Sequence, residues 1–189
     1  MALSATELIG RMTAGDREAV APFYDRFAPL VYPLVLRIVR DPSDAADVHQ
    51  EVFWDAWQAS ETYDPSRETP EAWIVARAHR RAIDRVRSRG RQRARGGAAL
   101  EEVGFAVNQR VPETVGADDA AGAVAAASAP VPSALDGLPE AQHEVIELAY
   151  YRGLTQTEIA ALLTEPLDTV KARLRLGLER LRDVLGRRE

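Results

Sequence analysis

Nine arginines fall between Arg77 and Arg95, at positions 77, 80, 81, 85, 87, 89, 91, 93 and 95, against one acid, Asp84. The segment carries +8 in a chain whose formal charge is −5, which leaves −13 for the remainder. Guanidinium groups are planar forks that donate in pairs to phosphate or carboxylate and displace condensed counterions from a nucleic acid. At 100° per residue, Val75, Ala78, His79, Ala82, Ile83 and Val86 share one side of a helix, and Arg77, Arg80, Arg81, Arg85 and Arg87 the other. With Asp84 the only acid on that helix, the arginine face cannot be neutralised from within it. Trp73 lies beside this arginine strip, and a phosphate backbone is the partner the strip suits. A membrane surface suits it less, because the opposite face is small and alanine-rich.

A second basic helix lies near the other end. In AYYRGLTQTEIAALLTEPLDTVKARLRLGLERLRDVL, Thr155 and Glu158 have capping-box spacing and open a short helix through Leu163, with Ile159, Leu162 and Leu163 as its apolar side. Pro166 breaks it, and Glu165 is placed to cap a following helix whose apolar positions are Val170, Leu174, Leu178 and Leu181. Lys171, Arg173 and Arg175 fall on the exposed face of that second helix. Short helix, turn and basic second helix form a helix-turn-helix pattern.

The stretch DPSDAADVHQEVFWDAWQAS has the opposite charge. Ala45, Val48, Val52, Phe53 and Ala56 form its buried stripe, while Asp47, Gln50, Glu51 and Trp54 cluster on the far side. DNA is repelled by such a face, and an exposed tryptophan is a favoured protein-interface anchor, so the partner expected here is a protein.

The elements that carry these faces are predicted to be helices throughout. Ser4 and Glu7 have capping-box spacing. Val20, Phe23, Tyr24, Phe27, Val31, Leu34, Val35 and Ile38 make an amphipathic run that Pro29 and Pro33 should kink or split. Asp41-Pro42 reads as N-cap and first helical position of a helix through about Ser60, and Thr69-Pro70 repeats that signal before the arginines. From Gly96 to Pro132 the pattern dissolves into Gly, Ala and Pro, which reads as a flexible linker. Two small all-α domains, 1–95 and 133–189, joined by a tether at 96–132, are the expected architecture. A coil of about 40 residues spans about 35 Å r.m.s. and about 130 Å when extended.

Composition sets outer bounds. A chain of 189 residues, 46% hydrophobic and 28% charged, suits soluble globular domains. With no cysteine it has no disulfide framework, thiol switch or thiolate zinc site. The N-terminal residues lack a basic segment followed by an apolar core, and no apolar run approaches the about 18 residues of a membrane span, so a cytoplasmic location without membrane insertion is expected. His49 and His79 lie on or beside apolar faces and His143 is alone, while no phosphate loop, nucleophile elbow or zinc-protease motif occurs. Neither catalysis, a metal nor a cofactor is expected.

Taken in order, VYPLVLRIVRDPSDAADVHQEVFWDAW, YDPSRETPEAWIVARAHRRAIDRVRSR and LPEAQHEVIELAYYRGLTQTEIAALLTEPLDTVKARLRLGLERLR resemble the extracytoplasmic-function (ECF) group of the sigma-70 family. These are small sigma factors of bacterial RNA polymerase. The resemblance implies a region 2-like bundle followed by a region 4-like helix-turn-helix. It assigns Asp47, Gln50, Glu51 and Trp54 to the coiled coil of the polymerase β′ subunit, with the β flap as a further contact of the factor. It assigns Tyr63, Arg67, Trp73, Arg77, Arg80, Arg81, Arg85, Arg87 and Arg89 to the minus-ten promoter element. The loop from Tyr63 to Thr69 falls where family members capture a flipped base. Thr155, Thr169, Lys171, Arg173 and Arg175 are assigned to the minus-thirty-five element. An anti-sigma factor, covering Asp47, Gln50, Glu51, Trp54 and the apolar grooves of the second domain, is the implied inhibitor.

Some positions depart from the family pattern. Pro33 stands where a helix usually continues, Ala172 where a hydroxyl residue is frequent, and Leu176 where a basic residue is common. Thr164 and Asp168 replace glycines often found around the recognition turn. Two other readings compete. Residues 138–185 also resemble the helix-turn-helix of LuxR-type regulators, which needs a receiver or ligand-binding first domain, and both basic helices could bind acidic protein surfaces instead of DNA.

Overall fold

The computed structural model describes residues 3–95, 135 and 137–186. The linker expected at 96–132 lies outside them. The described residues form seven α-helices and two short 3-10 helices, with no strand among them. In chain order the helices are α1 (Ala5–Thr13), α2 (Val20–Val39), α3 (Pro42–Gln58), α4 (Pro70–Arg95), α5 (Glu140–Tyr150), α6 (Gln156–Leu163) and α7 (Leu167–Gly186). Arg17–Ala19 and Ser60–Thr62 are the 3-10 turns. The chain divides into two compact units, Met1–Ala82 and Ile83–Glu189, with the division inside α4.

Helix starts follow side-chain chemistry. The Ser4 hydroxyl accepts from the Glu7 amide at 3.2 Å while Glu7 accepts from the Ser4 amide at 2.7 Å. Asp41 accepts from the Asp44 amide at 2.9 Å, with Pro42 opening α3. Thr69 accepts from the Ala72 amide at 3.2 Å in front of Pro70. Each cap occupies an amide that has no partner within its own helix, a contribution of about 1 kcal/mol.

In the first unit, α2 packs on α3. Phe23, Phe27, Val31 and Val35 meet Val48 and Val52, all nearly inaccessible, and Ile9 and Ile74 complete the centre. Burying a side chain of this size contributes about 1.5–3 kcal/mol. The prolines do not split the helix: α2 is one element with Pro29 and Pro33 inside it. Both prolines lie on the exposed face, so carbonyls deprived of a helical amide are on the side where water can serve them. Tyr24, placed on the apolar side by spacing, is only partly covered at 42% exposed, its ring leaning on Phe53 at 4.7 Å and His49 at 5.5 Å.

In the second unit, α5 and α6 pack on α7 through Val145, Ile146, Ile159, Val170, Leu174 and Leu181. Gly177 brings α7 onto Ile146, since a Cβ there would stand 2.6 Å from Ile146 Cδ1. The Thr155–Glu158 capping box forms as expected, at 3.2 Å and 2.7 Å. Leu162 does not follow its expected place and is exposed, the core being supplied by Ile159 and Ala160.

Candidate protein- and nucleic-acid-binding surfaces

The buried stripe of α3, Ala45, Val48, Val52, Phe53 and Ala56, faces the core and thereby fixes what the other side shows. Asp47, Gln50, Glu51 and Trp54 are all exposed, and Trp54 leaves 64% of its surface open. Beside Gln50 is a cleft between α2 and α3 lined by Tyr24, Ala28, Tyr32, His49 and Phe53. His49 is buried among these rings, with its Nε2 without a hydrogen-bond partner. Burial lowers the imidazole's affinity for a proton, outweighing the backbone hydrogen bond with Ala28 that raises it, so the ring is held neutral. The arrangement is an apolar, aromatic cleft rimmed by an acidic helix face.

On α4, Val75, Ala78, His79, Ala82 and Ile83 are buried as their spacing requires, whereas Val86 is half-buried. Arg80 and Arg81 are exposed, and Arg85, Arg87 and Arg89 are half-buried. Part of this face is paired from outside its own helix, by Asp55 of α3. Its Oδ2 accepts from Arg77 Nη1 at 3.1 Å and its Oδ1 from Arg81 Nη2 at 2.9 Å. Arg77 also donates to the Thr62 hydroxyl at 2.8 Å and stacks its guanidinium 4.3 Å from the Trp73 ring centre. With 16% of its side chain accessible, Arg77 serves the packing between α3 and α4 as well as the surface. Burial alone would raise the Asp55 carboxyl, but the hydrogen bonds and charges of Arg81 and Arg77 hold it below its ordinary value.

Trp73, which spacing placed beside the arginine strip, is buried. It meets Tyr63 edge-on at 5.6 Å, and the Tyr63 hydroxyl donates to the Glu68 carbonyl at 3.2 Å. Asp64 accepts from the Ser66 amide at 2.9 Å and from its hydroxyl at 2.6 Å, which folds the loop back on itself. Arg67 is exposed at the tip. Tyr63, Trp73 and Arg77 are thus brought together, while Arg67 and Arg80 are exposed.

On α7, Lys171 and Arg175 are exposed and Thr169 is half-buried. Lys171 lies 3.7 Å from Asp168, and Arg175 3.4 Å from Glu179. Arg173 is only partly open, and its Nη2 donates to Glu165 Oε1 at 3.0 Å. Thr155 is committed to its capping box, its hydroxyl donating to Glu158 Oε2 at 2.8 Å. Spacing did not identify Asp55 or the pairing of Glu165. The one signal for Asp55 was its wheel position at the border of the α3 stripe beside Val48, and Glu165 read only as a cap.

Residues 23–92 match the family described as Sigma-70 region 2, and residues 134–183 match Sigma-70, region 4. The chain is 38% identical over 181 residues to the ECF RNA polymerase sigma factor SigK of Mycobacterium ulcerans (strain Agy99), covering 94% of this chain and 91% of that one. It belongs to the ECF sigma factors of the sigma-70 family. A second relative, SigK of Mycolicibacterium vanbaalenii, is 37% identical over 182 residues, covering 95% and 88% of the two chains. Among solved structures, Rhodobacter sphaeroides SigE in complex with the anti-sigma ChrR is 27% identical over 97% of this chain and 98% of that one, with a TM-score of 0.46. For this sigma factor the LuxR-type reading lapses, because the region 2 match occupies the place where a receiver domain was required. None of its described helices is long and apolar enough to cross a membrane.

Proposed function

We propose that this ECF sigma factor docks on core RNA polymerase through Asp47, Gln50, Glu51 and Trp54 and carries its two basic helices to promoter DNA. The observation that carries the reading is the segregation within the first unit. Trp54 stands open beside Asp47, Gln50 and Glu51 on α3, while Arg80 and Arg81 are exposed on α4, so acidic and basic side chains are carried by different helices. The acidic face suits a basic protein helix such as the β′ coiled coil, and the β flap is the further contact expected of the factor. The Tyr63–Thr69 loop with Arg67 lies at the start of α4, where Arg80, Arg81, Arg85, Arg87 and Arg89 follow the minus-ten backbone. In the second unit Thr169, Lys171, Arg173 and Arg175 meet the minus-thirty-five element in the major groove. Thr155 presents the start of α6, and residues 96–132 serve as the tether. About 70 Å, two turns of B-DNA, lies within the reach of such a tether.

The factor works without catalysis of its own and in the cytoplasm, where its polymerase is. An anti-sigma factor competes for Asp47, Gln50, Glu51 and Trp54 and for the apolar surface around Leu162 and Leu176. Run-off transcription with purified core polymerase tests the assignment. Promoter-dependent initiation that weakens with salt is the expected result; equal transcription with and without the factor overturns it.

A further inference from the structure

Arg173, read above as a contact to the upstream element, has a side chain only 27% accessible that bends toward the turn preceding its helix. Glu165, in that turn and eight residues earlier, accepts from its Nη2 at 3.0 Å. A guanidinium has five donors in a rigid plane, so one carboxylate contact fixes the plane and leaves the other edge to bond elsewhere. Glu144, Glu147 and Arg152 line the same cleft as Glu165 and Arg173. Without Glu165, an arginine there can turn toward the acids of α5 and away from the groove. A second acid near a DNA surface also opposes phosphate binding, so its presence on this helix-turn-helix is a cost to bulk affinity.

We propose that Glu165 is a positioning residue for specificity: it holds the Arg173 guanidinium in the orientation that reads a guanine of the upstream element through O6 and N7. The inference rests on the reading of α7 as the minus-thirty-five helix. It separates two quantities that a simple contact would move together. Removing Glu165 lowers discrimination at one base while leaving general DNA affinity equal or higher.

The test uses the full-length factor with core polymerase and promoter fragments in which each upstream guanine in turn is replaced by 7-deazaguanine, which lacks the N7 acceptor. The wild-type protein prefers natural guanine at one position by about tenfold, the scale of a bidentate base contact. Glu165→Gln brings that ratio to within about twofold, with unchanged or tighter binding to duplex of unrelated sequence, and Glu165→Ala does the same. In an Arg173→Ala background Glu165→Gln changes the ratio no further. Should Glu165→Gln keep the wild-type ratio while Arg173→Ala loses it, positioning by Glu165 is overturned and the reading of α7 stands. An effect of Glu165→Gln that persists without Arg173 overturns it too, since Glu165 would then act through the turn. If Arg173→Ala keeps the ratio at every guanine, the role of Arg173 falls and the inference with it.

Discussion

Asp55 and Arg77, 22 residues apart in sequence, meet at 3.1 Å between α3 and α4, and Arg81 closes on the other carboxylate oxygen at 2.9 Å. The acidic helix and the basic helix are therefore coupled through Asp55. Everything Asp55 does for Arg77 it does at the expense of Arg77's availability to a phosphate. The partial burial of Arg77 makes its pairing worth more than an ordinary surface ion pair, since losing Asp55 leaves a half-buried guanidinium without that acceptor.

Asp55→Asn should lower stability by about 1–2 kcal/mol at neutral pH. The sign with pH follows from the depressed carboxyl. Its contribution is full above the ordinary value of 3.8 and is lost as the pH falls through the still lower value in the folded protein. The gap between wild-type and Asp55→Asn melting temperatures should thus close in strongly acidic solution. A gap that stays constant from neutral to acidic pH would show that Asp55 contributes through packing alone.

Trp54 contributes little to the fold, with most of its ring in solvent. Trp54→Ala should leave the melting temperature within about 2 °C of wild type. It should weaken capture of core polymerase by about 30-fold if it is an interface anchor. Competition binding with an anti-sigma factor should show mutually exclusive occupation; recovery of a stable three-component complex would count against occlusion.

Gly177 decides how closely α5 and α7 approach. An alanine there gains about 1 kcal/mol of helix propensity but drives its Cβ into Ile146, which is buried and cannot swing away. Overpacking costs about 1–3 kcal/mol, so Gly177→Ala should be destabilising by about 1 kcal/mol net. Ile146→Val removes the clashing Cδ1, and the double variant should be more stable than the sum of the two single changes implies. Thermal unfolding of the three variants measures this coupling.

The helices were legible because their caps and stripes are local. Asp41, Thr69 and Thr155 announce starts within three residues, and Val48, Val52 and Ala56 need only their own spacing to mark the side that is buried. What escaped depends on pairs distant in sequence or on solvent. Asp55 reaches two arginines of another helix, Trp73 is buried beneath Tyr63 and Arg77, and Pro29 and Pro33 are tolerated because their face of α2 is wet. The surfaces were visible in outline for the same reason as the helices: a buried stripe fixes its opposite face. Which guanidinium groups on those surfaces are already engaged, Arg77 and Arg173 among them, emerges only once α3 meets α4 and the turn meets α7.

Thr164 ends α6 with φ 55° and ψ 40°, a left-handed conformation in which a β-branched side chain crowds its own backbone. Its amide donates to the carbonyls of Ala160 and Ala161, the latter at 3.4 Å, and the Glu165 amide returns to Ala160 at 2.9 Å. The turn thus needs this conformation whatever residue occupies it. Left-handed geometry costs a non-glycine residue about 1–2 kcal/mol, and the greater freedom of glycine in the unfolded chain returns part of that cost. Thr164→Gly should therefore stabilise the second unit by up to about 1 kcal/mol, read as a higher melting temperature. Because the side chain is exposed, no packing is lost. Base discrimination by Arg173 should be retained, since the turn that carries Glu165 keeps its shape. A lower melting temperature would mean that the threonine is favoured by something other than backbone geometry, and a changed discrimination would mean that the turn is rigid because of Thr164 and not in spite of it.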